Sequence, residues 1–485
     1  MRLSRDPAAR RRLLALATLA LATGAWMPTY AALAARHLPC GVPLVPFPQV
    51  QSLPRGGVGA LPDFYGDLLA EARHRTLALV AAVAEADADR QHSPVASPLA
   101  WDLGHIAAFE DLWLCHRAGG LAPLRPDMWE VYDATETPRS GRGELDFLPV
   151  REARVFMDEV RARTLEVLAR TDMSERSDAL NARGYVWEMV LRHEHQHNET
   201  MLQGLQLAPA GLFVPERSPI AGLARRTPEE MVTIGAGPFL LGAGGDGFAY
   251  DNERAQHEVE LPAFAIDRTP VTIGQYLEWV ADGGYARREC WSEEGWQWRV
   301  RKGVERPLYV GGGGGTRSFE RIGMPRLDEP VMHVSWFEAD AYARAHGKRL
   351  PSEAEWEKAA TWDAASGSKR TYPWGEDAPD PALANRSDRL RTSSGRGAPE
   401  GRLRLRSARH GRRCVGVDGK RSRGLPGLRR LPVPRVLADL LRRGLSRPAR
   451  RVVGDASAYR EHHLPQLELA QRRQIFAGFR CAADA

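Results

Sequence analysis

Residues 192–199, RHEHQHNE, decide the fold of the N-terminal half of this 485-residue chain, because the apolar periodicity around them predicts a helix over residues 185–207. His193 and His197 are four positions apart, so both imidazoles project from one face, with Cβ atoms about 6 Å apart. This spacing suits two ligands of one metal ion. His195 lies off that face, and we expect it to be solvent-exposed or just outside the ligand set.

A third histidine supports the metal interpretation. His105 lies in a second apolar helix, within residues 101–106, WDLGHI. One histidine from one bundle helix and a pair from another can form a facial triad with open positions, and imidazoles suit iron as well as zinc. Two other interpretations remain. His105 could be a buried core histidine, and H-E-x-x-H at residues 193–197 matches the zinc-peptidase pattern, with Glu194 as general base.

The remaining pattern predicts a multidomain chain, with a helical bundle followed by an α+β domain. Four stretches with helical spacing predict a four-helix bundle, in which facing side chains converge on one interior site. After a linker near residues 215–228, short alternating segments bounded by Gly and Pro predict strands, turns and short helices. The predicted long helices cover residues 66–86, 98–112, 152–168 and 185–207; strands lie near 231–235, 239–242 and 257–264, and short helices at 274–281 and 336–346.

Composition excludes several classes of protein. The chain is 43% hydrophobic and 26% charged, which excludes a wholly disordered protein, and no apolar run reaches the roughly 18–20 residues that span a bilayer. Its five cysteines form no C-x-x-C pair, which excludes a disulfide scaffold and a cysteine-type zinc module. We therefore expect a cytoplasmic protein with no membrane partner.

Residues 386–451 differ sharply from the rest of the chain. They hold 21 Lys and Arg against 4 Asp and Glu and no aromatic residue, whereas the other 419 residues carry 46 basic and 57 acidic side chains. Such a block is typical of a nucleic-acid-binding arm. Its lack of aromatic residues and of any hydrophobic period argues against a folded binding module, so we expect no nucleic-acid partner.

Residues 1–60 form an extension of a different kind. Arg10, Arg11 and Arg12 precede an apolar stretch over residues 13–27 and a small-residue run at residues 30–35, which together have the form of a secretory signal. The alternative is a start codon assigned too far upstream. We favour the second interpretation, because the remainder of the chain has the composition of a cytosolic protein.

Several motifs together resemble the ergothioneine-biosynthesis sulfoxide synthase family, EgtB. Residues 97–106 and 193–203 resemble its DinB-like iron domain. The second half is similar to its formylglycine-generating-enzyme-like (sulfatase-modifying-factor-like) domain, an α+β domain of C-type-lectin-like fold. The motifs there are FAYDNER at 248–254, PVT at 270–272, GGY at 283–285, WSEEGWQW at 291–298, HVSW at 333–336, KRLPSEAEW at 348–356 and RRQIFAGFR at 472–480.

The resemblance implies an oxidoreductase that uses O2 at a non-haem Fe(2+) ion. Members of the family join C2 of hercynine (Nα-trimethylhistidine) to the sulfur of γ-glutamylcysteine or cysteine and form a sulfoxide. Arginines suit the carboxylates of such a thiol because they bind them in bidentate, charge-assisted fashion. The positions that match the family's site are His105, His193 and His197 as iron ligands, Gln196 at the hercynine imidazole, and Arg139 and Arg142, within residues 132–142, YDATETPRSGR, at the thiol substrate's carboxylates.

Three alternatives to this function stay open at the level of sequence. The chain could be a selenoneine-type C–Se synthase, a zinc DinB-like thiol transferase or hydrolase, or a binding module fused to a degenerate bundle. The proton-donating tyrosine of the family has no match that we can place, so the catalytic residue is unknown.

The resemblance also divides the chain into segments. It stops after Asn385 and resumes at Arg472, and the family motifs expected between them are missing. We interpret this segment as translated out of frame, since shifted GC-rich codons yield Arg, Gly, Pro, Ala and Leu in excess; a genuine basic insert is the alternative. The predicted segments are the extension 1–60, the DinB-like iron-binding bundle 61–225, the formylglycine-generating-enzyme-like domain 229–385, the Arg-rich segment 386–470, and a last strand of the second domain at 471–482.

Overall fold

The computed structural model describes residues 61–215, 230–245, 248–250, 253–376 and 470–485, together with the backbone of three short strands at Gly416–Val417, Ala449–Val453 and Pro465–Leu469. The predicted extension 1–60 lies outside the described residues, and so does almost all of the Arg-rich segment 386–470. Within the described ranges, no helix is both long and apolar enough to cross a membrane.

Four long helices form the N-terminal half, as the periodicity predicts. Two of them begin directly after Pro98 and Pro149, where a proline is tolerated because the first helical turn needs no N–H donor from it. The first long helix ends at Ala81 rather than at the predicted Ala86, and a short helix follows. The helices are α1 (Leu61–Ala81), α2 (Glu85–Ala88), α3 (Leu99–Glu110), which continues as a π-helix over Asp111–Ala118, α4 (Trp129–Tyr132), α5 (Val150–Leu168) and α6 (Tyr185–Leu207).

The start of α6 depends on a glycine. Gly184 precedes the helix with φ of 75°, a conformation that side chains disfavour. A Cβ atom at this position would lie 2.2 Å from the ring of Tyr65 on α1. The glycine therefore sets both the entry angle of α6 and its close approach to α1.

A buried network of four charged side chains ties the four long helices together. Arg73 of α1 donates to Glu110 of α3 at 2.7 Å and to Glu194 of α6 at 2.9 Å. Arg161 of α5 donates to the same two carboxylates at 2.7 and 3.2 Å. Burial alone would raise the pKa of Glu110, but the guanidiniums of Arg161 and Arg73 hold it at about 2. Two cations thus balance two anions in a water-poor interior.

The second domain is built from short antiparallel strands and capped helices. Three of its helices begin with a capping box, in which a Thr or Ser side chain and the Gln or Glu three residues later satisfy each other's backbone N–H groups. Its helices are α7 (Ile273–Ala281), α8 (Glu293–Lys302), α9 (Trp336–Ala345) and α10 (Glu353–Thr361). Its strands are β1 (Met231–Ile234), β2 (Gly237–Leu241), β3 (His257–Leu261), β4 (Phe264–Asp267), β5 (Thr316–Ser318), β6 (Arg321–Gly323), β7 (Trp362–Asp363), β8 (Ser368–Lys369), the three backbone-only strands β9 to β11 in chain order, and β12 (Ala482–Asp484).

The C-terminal residues complete this domain. Strand β12 pairs antiparallel with β4, whose other edge pairs with β1, so the last residues close a three-stranded sheet. The amide of Val271 donates to the carbonyl of Phe479 at 3.0 Å, and both Phe479 and Cys481 are buried in the aromatic core of the domain. The chain segment that follows the Arg-rich block is therefore integral to the second domain.

Helix α6 also contacts the second domain at both of its ends. Near its C-terminal end, the amide of Phe319 donates to the side chain of Gln206 at 2.7 Å, and the guanidinium of Arg317 donates to the carbonyl of Ala208 at 2.7 Å. Near its N-terminal end, Phe248 packs on Tyr185 and on the guanidinium of Arg192. The helix that carries two of the three candidate ligands is thus held from both sides.

We expect Glu194→Ala to lower the free energy of unfolding of the bundle by about 3–5 kcal/mol, because Arg73 and Arg161 would then share a single buried carboxylate. Urea unfolding of the metal-free chain, followed by circular dichroism at 222 nm, measures this loss. The matched control is Arg151→Ala, which breaks the exposed ion pair with Glu85 and should leave the transition unchanged. Equal midpoints for the two variants would contradict a central role for the network.

Candidate metal centre

Three imidazoles meet in the interior of the bundle. His105 on α3 and His193 and His197 on α6 each offer a ring nitrogen, and these nitrogens all lie within 4.8 Å of one another. Nε2 of His105 is 3.0 Å from Nε2 of His193. The structure therefore brings together the three predicted ligands, which are 88 residues or more apart between the two helices and four apart within α6.

His105 is held by two contacts. Its Nδ1 lies 2.6 Å from the carbonyl oxygen of Tyr132, an acceptor, so Nδ1 carries the proton and Nε2 keeps its lone pair. The ring also stacks on Trp101, with centroids 4.9 Å apart and planes 12° apart. Together they point the free nitrogen toward His193.

The two histidines of α6 have supports of different chemistry. The ring of His193 stacks on Phe109 of α3, with centroids 3.7 Å apart and planes 12° apart. Nδ1 of His197 lies 3.1 Å from Oδ1 of Asp102, which is buried one turn before His105 on α3. A carboxylate that accepts from one ring nitrogen leaves the other nitrogen free and raises its basicity as a ligand.

Burial sets the charge state of the centre. Desolvation first, and the neighbouring His197 second, hold the pKa values of His105 and His193 well below the ordinary value. Both rings are therefore neutral at pH 7, which is the form that binds metals. His195 is off the ligand face as predicted, but the expectation of a solvent-exposed ring was wrong. It is buried, and burial lowers its pKa to about 3.

These residues fit a transition-metal ion. Two imidazole nitrogens that bind one ion at about 2.1 Å and at a right angle are about 3.0 Å apart, which is the separation between His105 and His193. Three imidazoles with no carboxylate among them leave positions of a facial triad open. The donor set suits iron or zinc and provides room for exogenous ligands.

Glu194 is not placed to act as a general base. Its two carboxylate oxygens bind Arg73, Arg161 and the hydroxyl of Thr76, the last at 2.8 Å, and the side chain is only 1% exposed. The H-E-x-x-H sequence therefore matches the zinc-peptidase pattern only formally. The ion network uses the glutamate that a peptidase would need beside the metal.

Gln196 lies where α6 faces the second domain. Its Nε2 donates to the hydroxyl of Tyr250 at 3.2 Å, and desolvation of this half-buried phenol raises its pKa. An amide held in this way by a neighbouring domain presents a fixed orientation to a ligand. Gln196 is adjacent in sequence to the ligand His197.

The two arginines of residues 139–144, a short 3₁₀-helix, differ in their surroundings. Arg142 is 4% exposed, stacks on Trp101, and donates to the carbonyl of Thr137 and the hydroxyl of Ser97. Arg139 is half-buried, and its guanidinium makes no hydrogen bond or ion pair within the described part of the chain. Arg139 is thus available to a carboxylate as it stands, whereas Arg142 is already fixed by the protein.

Comparisons with known proteins agree with both halves of the fold. The DinB superfamily matches residues 68–201, and the sulfatase-modifying factor enzyme 1-like domain matches residues 217–408. The hercynine oxygenase of Mycolicibacterium thermoresistibile is 41% identical over 328 residues, which cover 65% of this chain and 70% of that protein. The hercynine oxygenase of Mycobacterium tuberculosis is 43% identical over 322 residues, covering 65% and 74% of the two chains.

This chain belongs to the hercynine oxygenase family. The hercynine oxygenase of Mycolicibacterium smegmatis adds a third match, 40% identical over 323 residues that cover 66% of this chain and 74% of that protein. The predicted fold class is therefore confirmed, with a DinB-like helical bundle followed by a domain like the sulfatase-modifying factor. The resemblance on which the sequence interpretation rested is confirmed as well.

Sequence reasoning missed the residues that support the ligands. Trp101, Asp102 and Phe109 lie four before, three before and four after His105 on α3, and helical spacing brings all of them to its neighbourhood. This spacing could have identified Asp102 as a partner for a ligand. The carbonyl of Tyr132 and the hydroxyl of Tyr250 come from distant segments, and nothing local in the sequence indicates them.

We expect His105→Ala to abolish tight binding of a divalent metal, because only two of the three nitrogens would remain. Cobalt(II) titration of the metal-free chain, read by visible absorption, measures the affinity. The matched control is His74→Ala, which removes an exposed histidine of α1 and should bind cobalt like the unaltered chain. If His105→Ala bound the ion as tightly as His74→Ala does, the assignment of His105 as a ligand would be wrong.

Proposed function

We propose that this chain is an O2-dependent non-haem iron(II) sulfoxide synthase that joins C2 of hercynine to the sulfur of γ-glutamylcysteine or cysteine. The observation that carries the proposal is the three-histidine centre of the bundle in a chain of the hercynine oxygenase family. Hercynine is the substrate that the names of the relatives give, and the thiol and the oxidant follow from the chemistry that the family resemblance implies.

The proposed reaction balances without a further reductant. The C2–H bond of hercynine and the S–H bond of the thiol are lost, and a C–S bond and an S=O bond form. One oxygen atom of O2 becomes the sulfoxide oxygen, and the other leaves as water with the two hydrogens. The four electrons that reduce O2 come from two steps, the C–S coupling and the oxidation of sulfur.

His105, His193 and His197 are the residues that would hold the iron. When bound, Fe(II) supplies the one-electron chemistry that allows O2 to react with closed-shell organic substrates. Asp102 and the carbonyl of Tyr132 accept hydrogen bonds from Nδ1 of His197 and of His105, which leaves Nε2 of each ring as the nitrogen that would bind the metal. The buried setting around these residues limits water at the place where the sulfur and C2 must meet.

Gln196 is our candidate for orienting hercynine. It follows His195 and precedes His197 on α6, and Tyr250 fixes one end of its amide. The other end can then pair with a ring nitrogen of the substrate imidazole. Holding this ring in one orientation favours attack at C2 rather than elsewhere, because two reactants held in place react with a large effective concentration.

Arg139 and Arg142 are our candidates for binding the carboxylates of the thiol. A γ-glutamylcysteine molecule carries two carboxylates and one ammonium group, so a pair of guanidiniums matches its anionic end. Arg142 donates to Thr137, Ser97 and Ala134, which leaves two of its five N–H bonds for a ligand, and the whole guanidinium of Arg139 is available. These two arginines favour the dipeptide over free cysteine.

If the Arg-rich segment 386–470 is genuine protein, we expect weak or no synthase activity from this chain, because the second domain would lack part of its substrate site. We propose that the segment is translated out of frame, because the domain that it interrupts resumes with residues that pack into the same core, such as Phe479 and Cys481. Resequencing the locus tests this idea, and a single uninterrupted frame that encodes the segment would refute it.

We expect the anaerobic, Fe(II)-loaded chain to convert hercynine and γ-glutamylcysteine to a hercynyl sulfoxide when O2 is admitted. Mass spectrometry of the product and an oxygen electrode measure the reaction, with one O2 consumed per product by the balance above. The Zn(II)-loaded chain is the control and should consume no O2. Product formation that is equally fast with zinc, or after exhaustive chelation, would contradict the proposal.

We expect Arg139→Ala to raise the KM for γ-glutamylcysteine about 10- to 100-fold, because it removes a charge-assisted hydrogen bond worth about 1.5–3 kcal/mol. The KM for hercynine should stay the same. Arg125→Ala is the matched control, since Arg125 is an exposed arginine nearby in the sequence that pairs with Asp127. An unchanged KM for the dipeptide in Arg139→Ala would remove this residue from the thiol site.

A further inference from the structure

Three planar groups are stacked behind the candidate metal centre. The guanidinium carbon of Arg142 lies 3.6 Å from the centre of the Trp101 ring. The Trp101 ring is also nearly parallel to the ring of His105, with a centroid distance of 4.9 Å and planes 12° apart. Trp101 therefore contacts both a candidate iron ligand and a candidate substrate-binding arginine.

Trp101 and Arg142 are each anchored by hydrogen bonds of their own. Trp101 is fully buried, and its Nε1 donates to the carbonyl of Val131 at 2.9 Å. Arg142 donates from Nε to the carbonyl of Thr137 at 3.0 Å and from Nη1 to the hydroxyl of Ser97 at 2.8 Å. The hydrogen bond to Val131 thus fixes the edge of the indole. The guanidinium that packs on its face is itself held by two hydrogen bonds.

Tyr132, the residue after Val131, fixes the direction in which the edge of the His105 ring points. Tyr132 accepts from Nδ1 through its carbonyl oxygen, and its phenol ring lies so close to α3 that a Cβ on Gly104 would come within 2.1 Å of it. The hydrogen bond sets the direction of the ring edge but allows tilting about it. The indole face limits this tilt, because the χ2 torsion of a histidine is otherwise broad.

We propose that Trp101, supported by Arg142, is a positioning residue of the metal centre that fixes the plane of the His105 ring. This inference rests on the proposed metal site and extends it to two residues that bind no metal. Without the indole, His105 keeps its hydrogen bond to Tyr132 but samples tilts that misdirect Nε2. Metal binding must then also order the His105 ring, and the lost conformational entropy lowers the affinity for the metal.

Cobalt(II) titration of the full chain, with no substrate present, tests the proposal. We expect Trp101→Leu to weaken cobalt binding about 10- to 100-fold, the range found when groups that orient metal ligands are removed. Trp101→Phe keeps an aromatic face and should restore affinity to within about threefold of the unaltered chain. The visible bands of bound cobalt should shift in Trp101→Leu and not in Trp101→Phe, because they report ligand geometry. Wild-type affinity and spectrum in Trp101→Leu would overturn the proposal.

Trp187 offers a matched control for a merely structural effect. It is also fully buried in the bundle and anchored through Nε1, which donates to Asn181 at 3.1 Å, but it belongs to a different apolar cluster. Trp187→Leu should lose thermal stability and keep its cobalt affinity. An equal loss of affinity in the two leucine variants would assign the Trp101 effect to general loosening and overturn the proposal.

A second variant keeps the test decisive if Trp101→Leu does not fold. Arg142→Met removes the guanidinium that lies over the indole and keeps a side chain of similar length, and we expect it to weaken cobalt binding about 3- to 10-fold, a smaller loss than removal of the indole itself. Unchanged cobalt affinity in this variant would then overturn the proposal. If the unaltered chain bound no cobalt at all, the metal site would fail, and the role of Trp101 would fail with it.

Discussion

The pairing of Arg73 and Arg161 with Glu110 and Glu194 is the constraint on which the rest of the bundle depends. Each of the four charges comes from a different long helix, so none can be buried until all four helices have reached their places. Such a network stabilises little in net terms, since desolvation costs offset the attraction, but it penalises any misaligned arrangement strongly. The alignment of α3 with α6 that brings His105 to His193 is therefore the one in which the charges are satisfied.

Around the candidate centre, each of the three imidazoles is held by a different type of neighbouring group. A carbonyl and an indole hold His105, a phenyl ring lies on His193, and a carboxylate accepts from His197. With these contacts in place, the candidate ligand nitrogens of the three rings lie within 4.8 Å of one another. The centre is consequently organised before any metal or substrate arrives, which reduces the entropy that binding must overcome.

The second domain contributes to this organisation by holding α6. The hairpin of β5 and β6 contacts the C-terminal end of the helix, through Arg317 and Phe319. Phe248 and Tyr250 contact the part of the helix before and beside the candidate ligands. The order of the two domains in the sequence places a long helix, with two candidate metal ligands near its middle, before the domain that holds it. Residues of the second domain, such as Tyr250 beside Gln196, therefore line part of the candidate site of the DinB-like bundle.

Local patterns in the sequence determined the helices, their capping boxes and the i, i+4 spacing of His193 and His197. They also determined the change from a helical domain to an α+β domain. These depend on spacing along the chain, and spacing is visible in the sequence. The tertiary structure alone decided that Glu194 is tied into an ion network, that His195 is buried, and that Arg142 stacks behind Trp101. Burial and partner choice arise from contacts between residues tens of positions apart. No local pattern encodes that Glu194 pairs with arginines while the adjacent His193 faces the other two candidate ligands.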